Sequence, residues 1–198
     1  MAKLYFKYGT MGSSKTAQAL MTKFNYEEKG TTVWLIKPAT DTRDNYYDKE
    51  GNLVTLVKSR IGLNCEADVM TETDNIKEIL CNELPELNVG AIICDECQFL
   101  TTVQVEQLRE IVDKYNIPVM CFGLKTDFQS HLFEGSKRLL EIADSISEVK
   151  SICKCGNKAI INARVDEKGN VVTNGNIVEL GGNEKYEGMC YFCWKNRI

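Results

Sequence analysis

Short apolar runs alternate with stretches of helical periodicity along the first three quarters of the chain. "KLYFKY" (3–8) is apolar and aromatic and predicts a buried strand. In "SKTAQALMTKFNYEEKG" (14–30), Ala17, Leu20, Met21 and Phe24 recur at helical spacing up to Gly30. "TTVWLIKP" (31–38) is a β-branched run stopped by Pro38, and the polar stretch 39–52 predicts a loop. "NLVTLV" (52–57) fits a strand, and "TDNIKEILCNEL" (73–84) an amphipathic helix with Thr73 as its cap. "VGAIICDECQF" (89–99) opens with a continuous apolar run, as strands covered on both faces do. A helix over 102–115, a strand over 117–124 and a last helix over 133–146 follow. Strands alternating with helices imply a parallel α/β sheet, right-handed crossovers and helices on both faces.

After about Glu148 the pattern changes. Short β-like runs, many Gly and Asn residues and paired cysteines point to a small metal-stapled unit over 149–198, behind an α/β unit over 1–148.

Composition adds limits. Hydrophobic content of 43% and charged content of 26% fit a globular protein with one good-sized core. No apolar run approaches a membrane span of about 20 residues, and the N-terminus lacks the features of a secretory signal, so a cytoplasmic location is expected. A net charge of −4 with scattered cations disfavours a nucleic-acid polymer as partner. Small phosphorylated ligands stay possible, since backbone N–H groups, one lysine and a metal ion can meet their charge.

The stretch "YGTMGSSKT" (8–16) nearly matches the phosphate-loop pattern G-x-x-x-x-G-K-[ST]. Gly9 is its first glycine, Ser14 replaces the second, and Lys15 and Thr16 follow in register. Such a loop curls successive N–H groups around phosphates at a helix N-terminus; the lysine reaches the terminal phosphates and the hydroxyl faces Mg²⁺. Ser14 keeps its N–H, and a residue with a Cβ requires an ordinary backbone conformation there. Alone, the stretch reads equally as a helix cap containing a lysine. Its setting between strand and helix favours the phosphate loop, as does "AIIC" ending in Asp95-Glu96 about 80 residues later. An acid at the end of a buried strand beside the first is where such folds hold Mg²⁺. With Asp95 at the metal, Glu96 is free to take a proton from a hydroxyl or water. Kinase and hydrolase chemistry both remain open on these residues.

Nine cysteines in a cytoplasmic setting read as thiols or metal ligands. Cys65, Cys81, Cys94, Cys97 and Cys121 read as small buried hydrophobes. Cys153-x-Cys155 and Cys190-x-x-Cys193, separated by residues 156–189, suggest a tetrahedral structural zinc site with no open position. A redox pair is the competing reading. His131, the only histidine, is far from both pairs and is expected on the surface or in a hydrogen bond.

Together "YGTMGSSKT", "KPATDTRDN", "CDECQF", "GLKTDFQSHLFEGS", "CKCG" and "VELGGNEKYEGMCYFC" resemble the type II thymidine kinase family over nearly the whole chain. The resemblance implies a P-loop NTPase (RecA-like) α/β domain with a small zinc-ribbon-like domain. It also implies transfer of the γ-phosphoryl group of ATP to the 5′-hydroxyl of thymidine. By position, Gly9, Thr10, Met11, Gly12, Ser13, Ser14, Lys15 and Thr16 bind the phosphates, with Asp95, Glu96, Cys97 and Gln98 beside them. Thr16 and Asp95 serve Mg²⁺, Glu96 is the base, and Lys15 and Arg43 face phosphate. Phe128 stacks on the base, and Met11 and Leu124 line its pocket, with plain core packing the competing reading of those two. Ile177, Val178, Glu179, Leu180 and Gly181, with Tyr186, form a lasso that reads the base edge largely through main-chain groups. The resemblance further implies a homotetramer with dTTP as feedback inhibitor. Ser14 for glycine and C-x-C for C-x-x-C are its two departures. The competing classes are a zinc-containing P-loop ATPase acting on nucleic acid or a partner, and an ATP-binding module without chemistry. A motor has no use for the "GGNEKY" lasso, and a passive module has none for Glu96.

Overall fold

The computed structural model describes residues 1–175 and 185–197. In chain order the elements are β1 (Leu4–Tyr8), α1 (Lys15–Glu27), β2 (Val33–Pro38), β3 (Asn45–Tyr47), β4 (Leu53–Lys58), β5 (Asn64–Glu66) and β6 (Asp68–Met70). Then come α2 (Ile76–Glu78), β7 (Ala91–Cys94), α3 (Thr102–Tyr115), β8 (Val119–Gly123), α4 (Glu134–Ile142) and β9 (Ser145–Glu148). The C-terminal part holds β10 (Ser151–Ile152), β11 (Lys158–Ala159), β12 (Ile161–Val165), β13 (Val171–Val172), β14 (Tyr186–Met189) and α5 (Tyr191–Asn196).

Six strands form one sheet in the order β6-β2-β7-β8-β1-β9, and every pairing in it is parallel. Alternate residues of the central strands feed two cores, as a sheet covered on both faces requires. Ile92 and Cys94 of β7 join Leu4, Phe6, Val105, Leu108 and Leu139 on the face covered by α3 and α4. Ala91 and Ile93 join Ala19, Leu20, Met120 and Phe122 on the face covered by α1. The parallel α/β architecture is therefore as the hydrophobic pattern predicts.

Besides the short strand β3 inside the loop expected over 39–52, the structure departs from that pattern in three places. The helix expected over 73–84 is capped by Asn75, whose Oδ1 accepts the Glu78 N–H at 3.2 Å, and not by Thr73. After one turn it widens, with Leu84 N–H bonding back to the Ile79 carbonyl at 3.2 Å. The helix expected over 133–146 ends at Ile142, and 145–148 form the edge strand β9. The backbone N–H of Asp144 donates to the Leu4 carbonyl (2.9 Å) while its carboxylate accepts the Leu4 N–H (2.7 Å). This two-way clamp pulls the segment beside β1, and a long-range pairing overrides local helical spacing. The third departure is strand order: β8 lies between β1 and β7, so the strand carrying Asp95 is not the neighbour of β1.

β3, β4 and β5 form an antiparallel meander off the main sheet, anchored by Val57 in the α1-side core. Beyond Glu148, two small antiparallel sheets and α5 enclose a separate cluster of Cys153, Ala159, Ala163, Val171, Met189, Cys190 and Cys193. Among the described residues no helix is long and apolar enough to cross a membrane.

Candidate active site

The C-terminal ends of β1, β7 and β8 open onto a cleft of about 400 Å³, the place where parallel α/β sheets collect their ligands. The loop after β1 forms one wall. Gly9 sits where a Cβ would meet the Val149 carbonyl oxygen at 2.4 Å, so this position needs glycine for space. Gly12 has φ +79°, which glycine adopts freely. Ser14 has φ 64°, ψ 26°, the left-handed region, and its side chain caps nothing. The expectation of an ordinary conformation at Ser14 is thus overturned: the loop keeps the backbone shape of the glycine pattern and imposes it on a serine.

Lys15 begins α1 and is buried, its Nζ donating to the Thr10 carbonyl at 2.9 Å and lying 3.4 Å from Ser13 Oγ. Burial lowers its pKa against the opposing pull of Glu96 and Asp95. Thr16 Oγ1 donates to Asp95 Oδ2 at 2.9 Å. The start of α1 therefore reaches Asp95 across the end of β8. The end of β8 is bare for the turn that follows β7: a Cβ on Gly123 would meet Gln98 Oε1 at 2.5 Å and Cys97 Sγ at 2.7 Å. Burial first, and the neighbouring Glu96 second, push the Asp95 carboxyl up to about 7. A hydroxyl beside a buried carboxylate is a hard-oxygen donor set that fits Mg²⁺.

Glu96 adopts φ 50°, ψ 33°, a second non-glycine residue in the left-handed region. Strained backbone of this kind concentrates at functional sites. Its carboxylate is partly accessible and held from two sides. Arg43 Nη2 donates to Oε1 at 2.5 Å, and Gln98 Nε2 donates to Oε2 at 2.6 Å. Gln98 in turn accepts the Leu124 N–H at 2.9 Å. Arg43 is oriented by Asp41 through Nε (2.6 Å) and Nη2 (3.1 Å), and Asp41 also pairs with Lys37 at 3.0 Å. Burial raises the Asp41 carboxyl, but Arg43 and Lys37 more than reverse this, leaving it below its usual value.

The far end of the cleft is apolar. Met11, Leu124, Phe128 and Tyr186 line it, together with Phe99 and Phe133, which meet edge to face with centroids 5.6 Å apart. Asp127 Oδ1 accepts the N–H groups of Gln129 and His131, both at 2.9 Å, and this turn fixes Phe128. Phe128 carries the Arg164 guanidinium 4.1 Å from its ring centroid, and Arg164 also donates to the Tyr186 hydroxyl at 2.9 Å. Asn162 on β12 is buried and joins the two ends: Oδ1 accepts the Met11 N–H at 2.8 Å and Nδ2 donates to the Thr126 carbonyl at 3.0 Å.

Lys15, Thr16, Asp95, Glu96, Gln98, Arg43, Met11, Gly12, Ser14, Leu124, Phe128 and Tyr186 thus converge on one cleft. Gly9, Thr10 and Ser13 form the loop behind it. Cys97 does not join them: it is fully buried with its thiol against Cys121, off the cleft. Ile177, Val178, Glu179, Leu180 and Gly181 lie outside the described residues. Sequence reasoning missed Asp41, Arg60, Phe99, Phe133 and Asn162. Phe99 closes the quoted "CDECQF", Phe133 lies within "GLKTDFQSHLFEGS" and Asp41 opens "DTR", so membership of a motif is their signal. Asn162 and Arg60 had none.

The four paired cysteines meet although 34 residues part the pairs. Their sulfurs all lie within 4.8 Å of one another, with Cys155 Sγ 3.6 Å from Cys190 Sγ. Cys190 also caps α5, its sulfur accepting the Cys193 N–H at 3.4 Å. The Asn157 N–H and then the Cys193 sulfur draw the Cys155 thiol down to about 6. Four convergent soft donors fit Zn²⁺. His131 is exposed and apart from them.

Comparison with known proteins agrees with this arrangement. The sequence profile of the family described as "Thymidine kinase" matches residues 2–194. The chain belongs to the thymidine kinase family. A curated thymidine kinase of Enterobacteria phage T4 is 44% identical over 194 residues, 98% of this chain and 96% of that protein. Thymidine kinases of Aliivibrio fischeri and Rhodopirellula baltica are 44% and 41% identical over the whole of this chain, covering 99% and 90% of their own lengths. In a thymidine kinase family member the departures at Ser14 and Cys153-x-Cys155 acquire a physical account. The serine carries the loop's left-handed geometry, and the shortened cysteine pair still closes a four-sulfur cluster.

Proposed function

We propose that the protein phosphorylates thymidine, transferring the γ-phosphoryl group of ATP to the 5′-hydroxyl. Glu96 carries this reading: a carboxylate held by Arg43 and Gln98 where the phosphate loop meets the aromatic end of the cleft. In this reading Glu96 accepts the hydroxyl proton as the oxygen attacks phosphorus. Lys15 and the loop N–H groups neutralise the phosphates, and Arg43 orients Glu96 and faces the developing charge. Thr16 and Asp95 would hold Mg²⁺, which would supply charge neutralisation on the triphosphate. Phe128, Met11, Leu124 and Tyr186 would enclose the base, with Phe99 and Phe133 closing the apolar wall. Cys153, Cys155, Cys190 and Cys193 would hold a structural Zn²⁺, staple residues 149–198 into a domain of their own, and take no part in chemistry.

A cytoplasmic homotetramer with dTTP as feedback inhibitor belongs to the same reading, supported by family membership. The test is phosphoryl transfer from ATP with thymidine, deoxycytidine or no nucleoside, for wild type and Glu96→Gln. Thymidine alone should be phosphorylated, and Glu96→Gln should lose about 10²–10⁴ in rate, the range for a removed general base. ATP hydrolysis indifferent to nucleoside would replace this reading with an ATPase.

A further inference from the structure

The β4–β5 hairpin brings a cation to the phosphate loop that no motif announces. Its turn is tightly closed: the Ser59 N–H and hydroxyl both donate to the Leu63 carbonyl, at 2.7 and 3.1 Å. Its first strand is fastened to the site by Lys37, whose Nζ donates to the Leu56 carbonyl at 3.2 Å, and by Val57 in the core. The hairpin is therefore a positioned element that overhangs the cleft through Leu56 to Ile61.

Arg60 projects from this turn onto the loop. A Cβ built on Gly12 would lie 3.2 Å from its Nη1, so the guanidinium stands beside the loop's backbone at Gly12. Three other cations of the cleft are committed. Lys37 and Arg43 are paired with Asp41 and Glu96, and Lys15 is buried in the loop itself. Arg60 makes no hydrogen bond or ion pair among the described residues, nor does Lys58. Of these two, Arg60 is the one that lies on the loop. It is close enough to Lys15 for its charge to disfavour the ammonium. Two cations converging on one glycine-rich loop repel each other until an anion lies between them, and the planar guanidinium matches two phosphate oxygens at once.

We propose that Arg60 is a further phosphate-binding residue, engaging the terminal phosphate of the nucleoside triphosphate from the hairpin side and neutralising charge on the group transferred. The proposal rests on the kinase reading above. In the transfer the bond from the nucleoside 5′-oxygen to the γ-phosphorus forms. The bond from that phosphorus to the β–γ bridging oxygen breaks, ADP leaves, and the hydroxyl proton passes to Glu96. Arg60 stays charged and exchanges no proton.

The experiment compares full-length wild type, Arg60→Ala and Arg60→Lys, measuring ATP and ADP affinity by calorimetry alongside kcat, KM and thermal midpoint. In Arg60→Ala, ATP affinity should fall about 10- to 100-fold, the equivalent of a charge-assisted hydrogen bond, with ADP affinity changed less than about threefold. The kcat should fall by about 10² or more, with the thermal midpoint unchanged. Arg60→Lys should recover part of the ATP affinity but little of kcat, because a point charge lacks the fork. ATP affinity and kcat within twofold of wild type would overturn the proposal, and so would an equal loss for ATP and ADP. A wild type that fails to phosphorylate thymidine would instead remove the kinase reading, while the ATP-against-ADP comparison still decides the role of Arg60.

Discussion

Ser14→Gly isolates the one residue at which the phosphate loop departs from its pattern. The serine is held at φ 64°, where a residue with a Cβ pays about 1–2 kcal/mol. Its hydroxyl caps nothing and the side chain is exposed, so removing it costs no contact among the described residues. Against the relief stands the extra freedom that glycine gives the unfolded chain, about 0.4–1 kcal/mol. The balance is a stabilisation of about 0.5–1 kcal/mol, or a thermal midpoint raised by about 1–4 °C for a chain of this size. Ser14→Ala keeps the Cβ and should match the wild type within about 0.5 kcal/mol. Ser14→Val adds a β-branch to a left-handed residue and should be clearly less stable. The assay is reversible denaturant unfolding of the zinc-loaded protein for all four chains, with midpoints read at constant slope. A Ser14→Gly protein less stable than wild type, together with a destabilised Ser14→Ala, would refute the reasoning. The hydroxyl and not the backbone would then explain the serine.

Three further outcomes are expected. Asn162→Leu leaves the Met11 N–H and the Thr126 carbonyl without their side-chain partner; each buried group so stranded costs about 1–3 kcal/mol. Equilibrium unfolding should register that loss, and KM should rise for both substrates because the residue ties the loop to the nucleoside end. Asp41 has a depressed carboxyl pKa, so its contribution is present above the ordinary carboxylate value of about 4 and is lost as pH falls through the folded value. The wild type should therefore lose stability more steeply than Asp41→Asn in acid. At neutral pH that variant should be about 3–5 kcal/mol less stable, since Lys37, 1% exposed, is left buried without its opposing charge. Both follow from unfolding midpoints measured from pH 3 to 8. Chelation of Zn²⁺, or Cys193→Ser, should unfold the C-terminal cluster, seen as increased amide exchange in 151–165 and 186–196; unchanged exchange after verified metal removal would exclude a structural zinc.

The contiguous signals of this chain were legible because they are local. Apolar runs mark β2, β7 and β8 because a strand covered on both faces must be apolar at successive positions. α3 spans the expected 102–115, and the structure closes its start with a reciprocal capping box of Thr101 and Gln104. The phosphate loop, Asp95-Glu96 and the two cysteine pairs are likewise short spacings whose chemistry needs those residue types close together. The end of α4 was misjudged because Ser145–Glu148 is pulled into the sheet by partners on β1 about 140 residues away.

The sequence by itself determined the fold class, the loop, the acids and the two cysteine pairs. Tertiary structure alone decided which distant residues share the cleft. It placed β8 between β1 and β7, bared the strand end at Gly123, bent Ser14 and Glu96 into left-handed backbone, and aimed Arg43 at Glu96. It also brought Asn162 to the Met11 N–H across 151 positions, and Arg60 to Gly12. Propensity and periodicity act between residues a few positions apart. The hydrogen bonds and ion pairs that finish this site join residues that become neighbours only when the chain has folded.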